Sequence, residues 1–424
     1  MDEPRTTPLH RWHLGQGANM ARFGRYDMPL WYPAGARAEH LAVIEAAGIF
    51  DTSHMAVIGL WGDGARNLLQ RCFTKDLDRC QGRDRGPLAV GRCVYGVFLA
   101  DDGTVIDDAI VYRLAEAAWM VGGNAGMGAA VAGHLQRQGG AGVRITDYSD
   151  RLGKMDIQGP LAARILAKVL HDPGPVLADM TYFSCKGGFG DLHTPVPVQL
   201  RDGTPLLLSR TGYTGEFGFE LFVAAERIVS LWQTVLAAGV DFGLLPCGLA
   251  ARDSLRTGAV LPLSHQDIGP WPFVNNPWLF ALPWDDAGKD FSKDFIGARA
   301  LRDDPGDAFT LPFAGFDPRK ITVGKDTFVT DRRGDTIGQV LTCATDMAID
   351  RVGAIIVSVA TPPAAGRPAD YRPRGLSCGF IKVNTPLTSG EVVMITDGRR
   401  QIRVEICQDI RPHRSARLPI TSML

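Results

Sequence analysis

The sequence predicts an α+β fold, on three observations. Strand-like and helical periodicities alternate through about residue 260. After about Asp285 the texture changes to short strands separated by turns. Glycine (49) and proline (27) punctuate the 424 residues so often that every element must be short. In chain order, helical spacing of apolar residues marks Ala38–Ala47, Gly64–Cys72, Pro160–Leu170 and Ala225–Ala238. In the third of these Leu161, Ile165, Leu166 and Leu170 fall on one face, and Pro160 suits a first helical turn. Strands are read at Val94–Leu99, Val105–Tyr112, Ala118–Val121, Leu206–Ser209 and Phe217–Val223. The later run comprises Ala314–Phe316, Thr327–Thr330, Thr336–Leu341, Ala354–Val359, Leu376–Val383, Glu391–Ile395 and Gln401–Ile406, the spacing of a small antiparallel barrel or sandwich. Arg302–Asp307 reads as a connector and the Pro-rich Thr361–Gly375 as an exposed loop.

Length predicts two to four domains. Lys plus Arg (45) against Asp plus Glu (46) leaves a net charge of −1, which argues against a protein that wraps nucleic acid, since that affinity rests on surplus cations. No apolar run approaches the ~20 residues of a spanning helix, and Met1-Asp2-Glu3-Pro4-Arg5 lacks a secretory pattern, so a cytoplasmic location without a membrane partner is expected. The eight cysteines form no C-x-x-C pair and the nine histidines no H-E-x-x-H, so no metal is expected. A P-loop and a G-x-S-x-G elbow are absent, and Gly126-Met127-Gly128 meets Val131 where a dinucleotide fingerprint needs its third glycine.

Three segments carry chemistry. In Asp101–Arg113, Asp102-Gly103 signals a hairpin, and Asp107 and Asp108 interrupt the apolar strand that follows. Alternation sends them to opposite faces, one toward solvent or a helix terminus and the other into an interior or cleft. In Arg210–Glu220 three glycines admit close approach of a ligand, Tyr213, Glu216 and Glu220 line or follow the loop, and Glu220 points away from Phe219. An ionised Glu220 is an acceptor suited to a flat edge with two N–H donors, the bland alternative being a hairpin with solvated acids. In Leu245–Arg256, Arg252 and Arg256 lie four apart on one helix face and either hold a carboxylate or form ordinary salt bridges.

Together with Phe50-Asp51-Thr52-Ser53-His54-Met55, Val105-Ile106-Asp107-Asp108, Ile157-Gln158-Gly159-Pro160, Thr211–Glu216, Pro246–Arg256 and Lys293-Asp294-Phe295-Ile296-Gly297, these segments occur in the order seen in the glycine-cleavage T-protein (aminomethyltransferase) family, which the chain resembles closely over about 25–300 and loosely over 310–410. The resemblance implies an α+β cloverleaf of three domains around a tetrahydrofolate site: residues 1–52 with 152–284, residues 53–151 bearing Asp107 and Asp108, and a C-terminal β-barrel over 285–424. It implies that Asp108 is the catalytic aspartate, with Asp107 as second choice. It further implies that Glu220 grips the pterin, that Tyr213 and Arg252 belong to the folate site, and that Tyr95, Asn124 and Met55 line the pocket, with His54 on the bordering loop.

Several departures from the family pattern point to a tetrahydrofolate-dependent methyltransferase, or demethylase, acting on a small methyl donor and yielding 5-methyltetrahydrofolate. The chain is longer than the usual T-protein. Ser264-His265-Gln266-Asp267 stands where the family has a Y-G-Q-D or Y-G-Q-E segment, and Thr342–Met347 replaces a Ser-Gly-Thr loop. Trp271, Phe273, Trp278, Phe280 and Trp284 are expected either to line a donor pocket or to pack an interdomain core, and His265 to serve as an acid for an oxygen leaving group. The alternatives are the glycine-cleavage aminomethyltransferase, served by a lipoyl H-protein, and a non-catalytic folate-binding protein of iron–sulfur assembly. For the last, Lys186-Gly187-Gly188 lacks the signature cysteine.

Overall fold

The computed structural model describes residues 3–424 except 83, 140 and 141. Two sheets and a barrel organise the chain. A seven-stranded sheet runs in the order Leu192–His193, Cys185–Phe189, Leu207–Ser209, Gly218–Ala224, Leu152–Gln158, Gly48–Asp51, Leu245–Pro246, antiparallel except for its last pair. A five-stranded antiparallel sheet follows the order Arg92–Leu99, Val105–Ala115, Ala118–Gly123, Ala56–Trp61, Arg144–Asp147. Phe309–Gly315, Leu376–Val383, Thr336–Asp346, Phe328–Thr330, Val392–Thr396 and Gln401–Ile406 close a barrel, which decides between the barrel and the sandwich.

Strand alternation explains the layers. Met155, Ile157, Phe219, Leu221 and Val223 face the helices Ala162–Val169 and Ile228–Gly239 and form one core with Leu166, Leu231 and Trp232. In the other sheet Ala109 and Val111 pack with Leu68, Leu69, Val131 and Leu135 of the helices Ala65–Cys72 and Gly128–Gln138. The opposite faces meet each other, and Tyr112, Met120, Leu207 and Phe222 fill part of that interface. A helix layer therefore covers the outside of each sheet, and the inner faces are left to build a site. Among the described residues no helix is long and apolar enough to cross a membrane.

Glycine is required at position 159 of the Gln-Gly-Pro turn. Its φ is +130°, and a Cβ there would meet the Ala46 carbonyl oxygen at 2.5 Å. The Thr361–Gly375 segment is largely an exposed loop, whereas Arg302–Asp307 begins inside a short helix, Ala298–Asp303, before becoming irregular.

The segment after the barrel turns back across the other two units. Arg411, 1% exposed, donates to Glu216 (3.1 Å), Asp346 (2.5 Å) and the carbonyls of Leu255 and Thr214, and Ser415 donates to Glu216 through both its N–H (3.1 Å) and its hydroxyl (2.6 Å). Glu216 is thus a buried structural acid rather than a solvated loop residue. Burial works to raise Asp346, but Arg411 and His40 outweigh it and hold the carboxyl below the usual range. Arg411→Met leaves two buried carboxylates without their cation. Unfolding free energy measured with denaturant should fall by about 3–5 kcal/mol, and a loss below about 1 kcal/mol, the scale of an exposed pair, would contradict this account.

Candidate active site

A cavity of about 1690 Å³ lies between the inner sheet faces, closed by the segment 259–280 and by barrel and C-terminal residues. Alternation delivers Asp108 and Tyr112 to it from one sheet, and Glu220, Lys154 and Phe222 from the other. Asp107 points to the opposite face and does not line the cavity, and it is 0% exposed where a solvent-facing position was one expectation.

The two carboxylates are held by shared donors. The Asn124 side-chain amide donates to Asp107 Oδ1 and Asp108 Oδ1, each at 2.9 Å, and its backbone N–H to Asp107 Oδ2 at 2.9 Å. The Tyr95 hydroxyl donates to Asp108 Oδ2 at 3.0 Å, and the Ser264 hydroxyl to Asp107 Oδ1 at 3.1 Å. Burial, followed by the neighbouring Asp108 charge, pushes Asp107 up to about 7 against the pull of Asn124 and Ser264, and burial raises Asp108 as well. Near neutral pH the pair therefore shares a proton, the condition under which one acid accepts what a reaction releases.

Across the cavity runs a chain of alternating charges. Lys154 Nζ donates to Glu220 Oε1 (2.6 Å), Asp156 Oδ1 (2.8 Å) and Thr52 Oγ1 (3.1 Å), which uses all three ammonium protons. Arg252 Nη1 donates to Asp156 Oδ2 at 2.8 Å, and its guanidinium lies 4.8 Å over the Tyr213 ring. Burial works to lower Lys154, but Asp156 and Glu220 outweigh it and keep the ammonium charged. Glu220 Oε2 accepts from Thr211 and, at 3.3 Å, from Tyr112. A carboxylate has about four acceptor positions, so Glu220 has room for about one further N–H, not the two that its isolated side chain offers.

The remaining predicted residues divide. Met55 and His54 line the cavity. His54 is 3% exposed, its Nδ1 has no partner among the described residues, and burial pushes it down to about 4, so the ring is neutral at physiological pH. His265 also lines the cavity, with its Nε2 3.8 Å from Asp107 Oδ1. Trp278 and Phe280 border the space, Phe280 standing 5.8 Å from the Tyr95 ring. Trp271 and Phe273 do not. Phe273 is a core residue with Val97, Leu99 and Phe295, and Trp271 bonds through its indole N–H to Thr310 at 3.0 Å. Trp284 packs on Phe291. Arg256 does not join Arg252 in a fork. It is buried against Asp267, Asp253 and the barrel's Thr342.

The GCVT N-terminal domain family matches residues 9–271. Over 391 residues the chain is 34% identical to an aminomethyltransferase of Symbiobacterium thermophilum, a match covering 90% of this chain and 96% of that protein. An aminomethyltransferase of Streptomyces coelicolor is 35% identical over 82% of this chain and 88% of its own length. The crystal structure of glycine cleavage system aminomethyltransferase T from Bartonella henselae superposes with a TM-score of 0.73 at 25% identity, covering 95% of this chain and 97% of that one. The chain belongs to the glycine-cleavage T-protein family. It is accordingly a one-carbon-group transferase with tetrahydrofolate as acceptor, and its three-part α+β architecture is the T-protein fold.

Lys154 and Asp156 lie outside the motifs singled out above, although the strand Leu152–Gln158 carries a plain signal. Its odd positions are Gly153, Met155 and Ile157, while Lys154, Asp156 and Gln158 alternate with them on the other face. A strand in which every residue is buried yet one face is polar must meet a polar interior.

The raised Asp107 has a sign that can be measured. Between its ordinary value of 3.8 and about 7 the folded chain binds a proton that the unfolded chain has released, so this group's contribution to stability falls as pH rises through that window. Asp107→Asn removes the effect. Relative to wild type, the variant should gain about 2 kcal/mol between pH 5 and pH 7 in denaturant unfolding, and an offset independent of pH would contradict the raised value.

Proposed function

We propose that the protein transfers an aminomethyl group from a lipoyl-bearing carrier to tetrahydrofolate, the T-protein step of glycine cleavage. The observation that carries this reading is the near full-length match to proteins named aminomethyltransferase, spanning both the carboxylate pair and the facing charge chain. The expectation of a small methyl donor draws no comparable support from the relatives.

The residues present fit the acceptor. A folate ring offers a flat N–H edge. Glu220 has an open acceptor position on Oε1, and the buried His54 Nδ1 lacks a partner. The Tyr213 ring and the Arg252 guanidinium form a wall against which such a ring is held. Tetrahydrofolate supplies the nucleophilic amine N5, and the rest of the chemistry belongs to the protein. Asp108 orients that amine and stabilises the positive charge that develops as the carbon arrives. Tyr95 and Asn124 fix the carboxylate for this task. The proton shared by the pair at neutral pH lets one member act as base without leaving two adjacent buried charges. Most of the remaining acceleration comes from aligning donor and acceptor in a cavity with fixed walls.

A second reading, methyl transfer from a small donor, rests on Phe280 and Trp278 beside Tyr95, since aromatic faces attract sulfonium and methoxyaryl groups. The product separates the two. Ammonia and 5,10-methylenetetrahydrofolate formed from an aminomethylated lipoyl carrier support the first. If 5-methyltetrahydrofolate forms from a sulfonium, betaine, methoxyaryl or methyl-halide donor and nothing forms from the carrier, the second replaces it. In the active assay Asp108→Asn should cut turnover by roughly 100- to 10,000-fold with tetrahydrofolate binding retained. Glu220→Ala should instead weaken tetrahydrofolate binding by about 10- to 100-fold. Unchanged affinity in Glu220→Ala would remove that residue from the acceptor site.

A further inference from the structure

Asp107 is buried away from the cavity, yet a carboxyl pair that takes up a proton in every cycle must also lose one. The groups around Asp107 differ in what they can carry. The Asn124 backbone N–H and side-chain amide donate hydrogen bonds but do not pass protons on. Among the described residues that leaves the Ser264 hydroxyl at 3.1 Å and the His265 imidazole at 3.8 Å, both of which donate and accept. The Ser264 hydroxyl acts on both carboxyls, drawing Asp107 and Asp108 alike back from their raised values.

His265 connects a dry acid to an open space. Its side chain is 49% exposed and lines the cavity, whereas the Asp107 side chain is 0% exposed. The distance of 3.8 Å is too long for a direct hydrogen bond, and a small rotation of the exposed imidazole would close it. His265 sits at φ +60°, in the left-handed region that non-glycine residues occupy only at a cost. A side chain kept in an unfavourable backbone position at the mouth of an acid pair needs a reason, and an imidazole, which can both donate and accept, suits proton exchange there.

We propose that Ser264 and His265 form a proton path that drains the Asp107–Asp108 pair into the cavity. The path rests on the transferase reading above. Asp108 receives the proton that N5 loses as its bond to the transferred carbon forms. The Ser264 hydroxyl accepts that proton while releasing its own to Asp107, and His265 carries a proton from Asp107 to the sulfur that leaves. The N5–carbon bond forms as the carbon–sulfur bond breaks. Sulfur keeps the electron pair of the broken bond and ends with one proton in place of the one N5 gave up; N10 then bonds to the same carbon as the carbon–amino bond breaks, and the departing nitrogen takes the N10 proton and leaves as ammonia, so no oxidant or reductant is needed. Ser264 acts through the pair, as a relay between its two carboxyls, and His265 meets the leaving sulfur.

The test uses the full chain, tetrahydrofolate and aminomethylated dihydrolipoamide as donor. His265→Gly removes the imidazole and relieves the backbone. Its kcat should fall about 100-fold while KM and the tetrahydrofolate Kd, read by protein fluorescence, stay within about twofold. Added imidazole should restore turnover in this variant and not alter wild type. A readout independent of turnover is the infrared band of the protonated carboxyl, identified as the one that Asp107→Asn removes. On transfer to heavy water its exchange should be slower in His265→Gly and in Ser264→Ala than in wild type. Unchanged kcat in His265→Gly, or a reduced kcat that imidazole does not restore, overturns the path. Exchange as fast as in wild type overturns it too. If wild type shows no turnover with this donor, the functional reading fails instead, and the exchange measurement still decides the path.

Discussion

The charge chain Glu220–Lys154–Asp156–Arg252 is the constraint around which the interior is arranged. Four ionised groups on or beside the middle strand of a sheet would be prohibitive singly. They persist because Lys154 lies among three acceptors that take every ammonium proton, and Arg252 pairs with Asp156 over the Tyr213 ring. The chain sums to zero charge, so the cavity wall is polar without a large field of its own. The near-neutral overall composition fits this design, since local pairs rather than surplus cations hold the site. Its cost appears as specificity. Lys154 and Thr211 fix both oxygens of Glu220, so a ligand meets an acceptor that is already oriented and largely committed.

The opposite wall follows another rule. Asp107 and Asp108 are close and buried and, among the described residues, have no lysine or arginine partner, so burial and repulsion leave them sharing a proton instead of bearing two charges. One inner face thus carries acids paired with cations, and the other carries a protonatable pair. That asymmetry divides binding from proton transfer. The C-terminal segment and barrel keep the two faces in register: Arg256 reaches Asp267 and Thr342, and Arg411 joins Glu216 to Asp346.

What the sequence disclosed follows the range of each interaction. Alternation along Val105–Ala115 separated Asp107 from Asp108, and alternation about Phe219 aimed Glu220 inward, because period two is a local property. Most strands and helices were legible for the same reason. The partners of Glu216 and Arg256 were not, and the closure of the barrel followed from the family resemblance rather than from strand spacing. Glu216 is buried by an arginine 195 residues away, and Arg256 shares a helix face with Arg252 yet turns toward a different unit. The aromatic run 271–284 showed its composition but not its facing, so Trp278 and Phe280 could not be told from Phe273 and Trp271. Lys154 and Asp156 show in the sequence only as alternating polar positions ahead of the Gln-Gly-Pro turn.

The central claim is that Lys154 and Glu220 act as one unit in presenting an acceptor to tetrahydrofolate. A double-mutant cycle of Lys154→Met and Glu220→Gln, with tetrahydrofolate affinity read by calorimetry, tests it most directly. The account predicts that each single variant loses most of the affinity lost by the pair, a coupling of about 1–3 kcal/mol. Losses that add to within about 0.5 kcal/mol would mean that the two residues act separately, and would contradict the account.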